Sequence, residues 1–360
     1  MNKIFILGGC STVLLLTSCL KGHIPHETII PEARIDSVFL HYFQQQTGVI
    51  AAEGTTSLPL SDGRTLWLFG TAHLNDYQTG TGMMNCLPNA HNAAMISSST
   101  FTMQTLNTGN SDFLPSNETD TWFKPLHAYQ YDDTVFVFAK KSGATVLNAR
   151  TYIAKYHFPD LQLIRIDSML LNQTIYGYTC FTDTATGFCY VYGLYRPDTL
   201  ADNALYCARF PMNDLQAKWQ YYAENDWVDP PSSALPVAWV PAENFSLRKI
   251  QNRYMLLTRE LGKACNKGRK IYARSSSNPF GTFLNEHLVY EIGDSLGVVT
   301  PVCSDIALHP QWLQNGEVLL TYSIWGYGTC IPTCQSGFDN PDFYRIRTLR
   351  IPLKKLDSAF

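Results

Sequence analysis

Charge is scarce in this 360-residue chain: Asp, Glu, Lys and Arg make up 16%, and 30 acids against 27 basic residues leave a formal net charge of −3. With no cationic excess and no basic stripe, there is no surface to track a phosphate backbone, so no nucleic-acid partner is expected. Helical periodicity is also missing. No long stretch places apolar residues at i, i+3, i+4 and i+7, and Pro, Gly, Asn and Asp punctuate the chain throughout. Cofactor fingerprints are absent: there is no G-x-x-x-x-G-K phosphate cradle, no dinucleotide motif, no H-E-x-x-H and no G-x-S-x-G elbow.

What is present begins with MNKIFILGGCSTVLLLTSCL. One early Lys, a short apolar core and then Leu16-Thr17-Ser18-Cys19 form a secretory signal ending in a lipobox-type sequence. The apolar run is too short and too interrupted for a comfortable membrane span. Residues 1–18 are therefore expected to be a signal peptide and Cys19 the lipidated N-terminus of an exported bacterial lipoprotein, held at the cell envelope by its lipid. Residues 19–34, with two prolines and no apolar period, are expected to be a tether, and residues 35–360 a single domain.

Apart from Cys10 and Cys19, eight cysteines remain, at 86, 180, 189, 207, 265, 303, 330 and 334. An even number in an exported chain suggests disulfides. Cys180 with Cys189 across a hairpin and Cys330 with Cys334 in a loop are the favoured pairs, with zinc as the competing use of the second.

Five times the chain places a turn pair before a strand-like run: Gly63-Arg64 before TLWLFG, Asp132-Asp133 before TVFVFA, Gly187-Phe188 before CYVYGL, Asn252-Arg253 before YMLLTR, and Gly316-Glu317 before VLLTYS. Another short strand precedes each turn, so the repeated object is a β-hairpin. Multi-stranded repeats of roughly 63 residues are the signature of propeller blades, and five of them fill the chain from about residue 48 to 353. The expected fold is all-β, a five-bladed β-propeller.

In a propeller the first strand of each blade lines the central channel. Nine to twelve residues before the five turns stand Glu53, Asp120, Tyr176, Glu243 and Asp305. Four carboxylates at five equivalent positions form an expected ring of acids at one mouth. Crowded carboxylates cannot all ionise cheaply, and a protonated acid beside an ionised one is what glycoside hydrolysis requires. Each residue also has a local alternative. Glu53 and Asp305 could cap strand entrances, Asp120 could close an Asx turn, and Glu243 could pair with Arg248 or Lys249 at a surface. His309, in LHP, could be a core imidazole, and His91 and Asn92, which open another strand of the first blade, could reach the channel as substrate-binding residues or serve the fold alone.

The runs EGTTSLPLSDGRTLWLFG, HNAAMI, FKPLHAYQYDDTVFVFA, ENFSLRKIQNRYMLLT, SNPFGTF and ALHPQWLQNGEVLLTYS resemble the bacterial glycosidase-like five-bladed propeller lipoproteins. That group consists mostly of domains of unknown function, and one branch contains endo-D-arabinanases. The resemblance spans about residues 48 to 350. It implies carboxylates on separate blades acting as base, acid and pKa modulator. Glu53 falls where an Asp usually precedes Gly54, and Glu243 falls on the acid before the Asn-Phe-Ser strand. Where such proteins commonly carry Asp after LWLFG, this chain has Thr71, so one channel acid is missing.

The expected protein is thus a glycoside hydrolase-like lipoprotein acting on a polysaccharide or oligosaccharide, with a catalytically inactive glycan-binding propeller as the alternative. Glu53 is the expected base or nucleophile, Glu243 the general acid and Asp120 the orienting group. Asp305 and His309 would position substrate or hold water or an axial cation such as calcium. Tyr176, Trp122 and Trp325 are candidate stacking platforms, and the loops Asn75 to Pro88 and Trp325 to Pro341 candidate pocket walls.

Overall fold

Each of the five turns closes an antiparallel hairpin in the computed structural model, which describes residues 30–98, 102–143, 150–195, 202–241, 243–261, 268–295, 301–325 and 337–360. The inner strands are Thr55–Pro59, Thr121–Tyr131, Ile175–Asp183, Phe245–Ile250 and Val302–Gln314. They pair with Thr65–Phe69, Thr134–Gly143, Phe188–Tyr195, Arg253–Arg259 and Glu317–Trp325 respectively. Further strands extend every hairpin outward into a blade, and the five inner strands pack against one another in a closed cycle around an axis. The chain is a five-bladed β-propeller, as the hairpin repeat predicts.

The blades' sequences explain their layering. Second strands such as TLWLF are buried along their whole length, because each is covered on both faces by neighbouring blades. Outer strands such as QLIRIDSM are largely exposed and carry charge. Five apolar cores alternate with the five blades. Leu68 meets Val137 in the core between blades one and two, and Phe138 and Val191 share the next. Tyr192 and Leu256 join blades three and four, and Leu257 and Leu320 join four and five. Trp67 and Leu319 belong to the core that closes the ring between blades five and one.

A segment that precedes blade one also closes the ring. Arg34–Ile35 adds an outermost strand to blade five, pairing antiparallel with Arg347–Pro352. Asp36 then caps the helix Ser37–Tyr42, accepting from the N–H groups of Val38 and Phe39, both at 3.0 Å. Its other oxygen meets Arg350 Nε at 2.5 Å, an ion pair almost wholly buried. This latch has no counterpart among the sequence expectations, in which Arg34 belongs to the tether.

Cys180 and Cys189 are free, buried thiols, so the expected disulfide is absent. The hairpin register places Cys180 opposite Val191 and Cys189 opposite Thr182, which leaves the two cysteines diagonal to each other. Cys19, Cys330 and Cys334 lie outside the described residues.

Candidate active site

The inner strands share one direction along the axis, so their beginnings line one mouth of the channel and their ends the other. At the first mouth every blade contributes to a single cavity: Gly54 from blade one, Lys124 and Lys140 from two, Tyr178 from three, Glu243 from four and Asp305 from five. Two of the four acids expected in the ring, Glu243 and Asp305, line this cavity, together with two lysines.

Glu53 is buried beside this mouth, next to Gly54 of its lining. Its N–H donates to the Thr71 carbonyl at 2.9 Å, and its carbonyl accepts from the Gly70 N–H at 2.8 Å. Gly70 permits the close fit, since a Cβ there would lie 3.3 Å from Glu53 Oε1. Thr71 donates its hydroxyl to Glu53 Oε1 at 3.0 Å. Asp305 sits beside a β-bulge in the inner strand of blade five with φ of +48°, a backbone conformation that non-glycine residues seldom adopt.

Lys124 binds the cluster together. Its Nζ lies 3.8 Å from Glu53 Oε1 and 3.7 Å from Asp305 Oδ1. Glu243 pairs with Lys140 and accepts a hydrogen bond from Tyr178. Lys124 and Lys140 are directly opposed across the blade-two hairpin. Like charges so placed repel, and the three carboxylates neutralise them.

The electrostatics separate the acids. Burial pushes the Glu53 carboxyl up, Lys124 opposes this, the Asp305 charge adds to it, and the net shift is upward. Burial also pushes Glu243 up, but the Lys140 ammonium, with help from Lys124 and Tyr178, carries it below its ordinary value. The Asp305, Glu53 and Glu243 charges hold the Lys124 ammonium up against its own desolvation. A carboxyl disposed to keep its proton thus lies beside the mouth that one disposed to lose it lines.

Of the sequence candidates, Glu53, Glu243 and Asp305 are brought together. Asp120 is not among them: it is exposed, one residue before its strand, four positions upstream of the Lys124 that reaches the cavity. Tyr176 is 1% exposed and packs against Trp219 and Tyr221, so it belongs to the core between blades two and three. A bulge after Tyr176, where Gly177 has φ of +102°, presents Tyr178 to the cavity instead.

His309 is fully buried, with Ser57 Oγ 2.5 Å from Nδ1 and Thr321 Oγ1 2.8 Å from Nε2. Both ring nitrogens are engaged, so neither is available to a substrate or an axial cation. Among the described residues no group of three or more His, Cys, Asp or Glu side chains is arranged to hold a metal ion.

Asn92 is also structural. Its amide donates to the carbonyls of Leu114 and Phe123 and accepts from the Leu114 N–H. His91 and Trp122 stack on each other at 4.8 Å, with His91 half exposed. Trp325 ends the second strand of blade five, and its side chain lies outside the described residues. The two loops expected to wall the pocket pair with each other through Met84–Asn85 and Phe338–Asp339.

Lys124, Lys140 and Tyr178 escaped the sequence reading. A lone Lys inside the otherwise apolar WFKPLHAY, facing a second Lys across the hairpin, was the available signal.

A family model described as a domain of unknown function, DUF5005, matches residues 36–352. No curated protein matches the chain. Among solved structures, a presumed hydrolase from Bacteroides ovatus ATCC 8483 is similar, with 17% identity, a TM-score of 0.69, and coverage of 90% of this chain and 92% of that one. An exo-β-1,3-galactanase from Phanerochaete chrysosporium, solved with β-1,3-galactotriose, matches at 11% identity and a TM-score of 0.52, covering 91% of this chain and 66% of that one. A presumed exo-β-1,3-galactanase from Bifidobacterium bifidum s17 matches at 11% identity and a TM-score of 0.50, with coverage of 84% and 87%. What these similarities share with the chain is the propeller fold.

Proposed function

The chain belongs to the DUF5005 family, whose description assigns no reaction, and on that premise we propose that it is a glycoside hydrolase whose chemistry resides in the acid and lysine cluster at the channel mouth. One observation carries this proposal: a buried carboxyl pushed up in pKa lies beside the cavity that a carboxylate held down by lysine lines, and Lys124 acts on both. Glu53 protonates the departing glycosidic oxygen, and Glu243 takes a proton from the water that attacks the anomeric carbon. Asp305 and Lys124 set the charge around Glu53, and Tyr178 orients Glu243. These roles exchange the two expected from the sequence, because the Lys140 contact favours an ionised Glu243.

The substrate is an oligosaccharide or polysaccharide, with β-1,3-galactan and D-arabinan the first to test. The fold similarity supports the former and the sequence resemblance the latter. The protein works at the cell envelope, anchored by lipid on Cys19, and a Cys19→Ala variant is expected to leave the membrane fraction.

The test compares activated aryl glycosides with unactivated oligosaccharides. Glu53→Gln is expected to lose the unactivated substrates while retaining much of the aryl glycoside hydrolysis, because a good leaving group needs no acid. Glu243→Gln is expected to lose both. Full activity in both variants would remove the assignment. A non-catalytic sugar-binding role is the second reading, favoured by the lysine engaged with every acid of the cluster. Saturable sugar binding by the wild type with no reducing-end release would establish it.

A further inference from the structure

The opposite mouth of the channel holds a second cavity, of about 620 Å³, that the proposed hydrolysis does not use. Its size suits a small molecule, and the ends of the inner strands build it. Arg248 crosses the channel from blade four and forms its inner end. Nη1 donates to the Leu247 carbonyl at 2.9 Å and to Thr179 Oγ1, and Nη2 donates to Thr56 Oγ1 at 3.0 Å. All of these partners are neutral oxygens. A guanidinium taken into the ring without a counter-charge is costly, and burial pushes its pKa down to about 10. Lys249 adds a second positive charge to the same cavity.

His127 supplies the other half of the site. Its Nδ1 lies 2.9 Å from the Ala128 carbonyl, which can only accept, so Nδ1 carries the proton and Nε2 is a bare acceptor. Nε2 is buried with no hydrogen-bond partner among the described residues. Burial and the Arg248 charge keep the ring neutral. Tyr129, two residues along the same strand, also borders the cavity, and its buried hydroxyl has no hydrogen-bond partner among the described residues. The cavity thus offers two cations for an anion and an acceptor for a hydroxyl, with one carboxylate, the exposed Asp132, also on its lining. The first mouth, although Arg248 also borders it, presents Glu243 and Asp305 and disfavours a free anion.

We propose that the second mouth binds a small polyhydroxy carboxylate, a monosaccharide acid of uronate or aldonate type, with its carboxylate at Arg248 and Lys249 and a hydroxyl donating to His127 Nε2. This site does not depend on the hydrolysis proposed at the first mouth.

Calorimetric titration of the purified protein with D-glucuronate, D-gluconate, D-glucose and acetate tests it. Saturable binding of one of the sugar acids is expected, about tenfold or more tighter than D-glucose, which lacks the charge, or acetate, which lacks the hydroxyls. His127→Phe should abolish binding. Lys249→Gln, at an exposed position that leaves folding intact, should weaken it about fivefold. Glu243→Gln, at the other mouth, should leave it unchanged. Absence of saturable binding by both acids, binding indifferent to Lys249→Gln, or loss of binding in Glu243→Gln would each overturn the proposal.

Discussion

Replacing Lys124 with Met keeps the aliphatic stem and removes only the charge shared by Glu53 and Asp305. Those contacts measure 3.8 and 3.7 Å, and at an effective dielectric near 20 each corresponds to about 4 kcal/mol of gross attraction. The variant also avoids burying an ammonium, so the net cost is smaller. Breaking a buried pair by removing one partner costs about 3–5 kcal/mol. The Lys124 side chain is 29% exposed, and screening by water in the cavity argues for the lower end.

The loss must depend on pH, and its sign follows from the acids. In the variant the restraint that lowers Glu53 is gone, while burial and Asp305 still raise it. The folded variant therefore holds the Glu53 proton more tightly than the wild type, and the deficit is full at high pH and fades as Glu53 protonates. Urea unfolding of both proteins should show about 3 kcal/mol of destabilisation at pH 8 and about 1 kcal/mol or less near pH 4.5. A deficit equal at both pH values would mean that Lys124 matters only as packing, and would refute the charge-sharing cluster.

Hydrolysis should follow a bell-shaped pH profile. It should fall on the alkaline side as Glu53, held up by burial, loses its proton, and on the acid side as Glu243, held down by Lys140, gains one. The stability supplied by the Glu243–Lys140 pair is lost in that same acid direction, being present above the unfolded value and removed as pH falls through the folded one. Asp36→Ala removes both the helix cap and the partner of buried Arg350, and equilibrium unfolding should register a loss of about 3–5 kcal/mol. Asp120→Asn should leave hydrolysis and sugar binding within about twofold of wild type, since an exposed substitution outside the cavity typically changes little.

The propeller was legible because each blade repeats a hairpin with its own turn chemistry, and every turn pair read from the sequence closes one. The convergence of Glu53, Glu243 and Asp305 was legible for the same reason, as positions counted back from those turns. Counting fails where the inner strands are irregular. The 11-residue strand Thr121–Tyr131 carries Lys124 to the position assigned to Asp120, and the bulge at Gly177 exchanges Tyr178 for Tyr176. His309 has no nitrogen free for a ligand because Ser57 and Thr321, far apart in the chain, occupy both. The latch of Arg34–Ile35 onto blade five depends on a contact between segments far apart in the chain, which no local pattern announces.

Whether a sugar occupies the cavity where these three acids meet is open to direct measurement in a crystal of the Glu243→Gln variant soaked with a β-1,3-galacto-oligosaccharide or a D-arabino-oligosaccharide. A glycosidic oxygen within hydrogen-bond reach of Glu53, with the ring between Lys124 and residue 243, is the predicted result. A saccharide seated on the outer blades or only at the opposite mouth, with the first cavity filled by water alone, would contradict it.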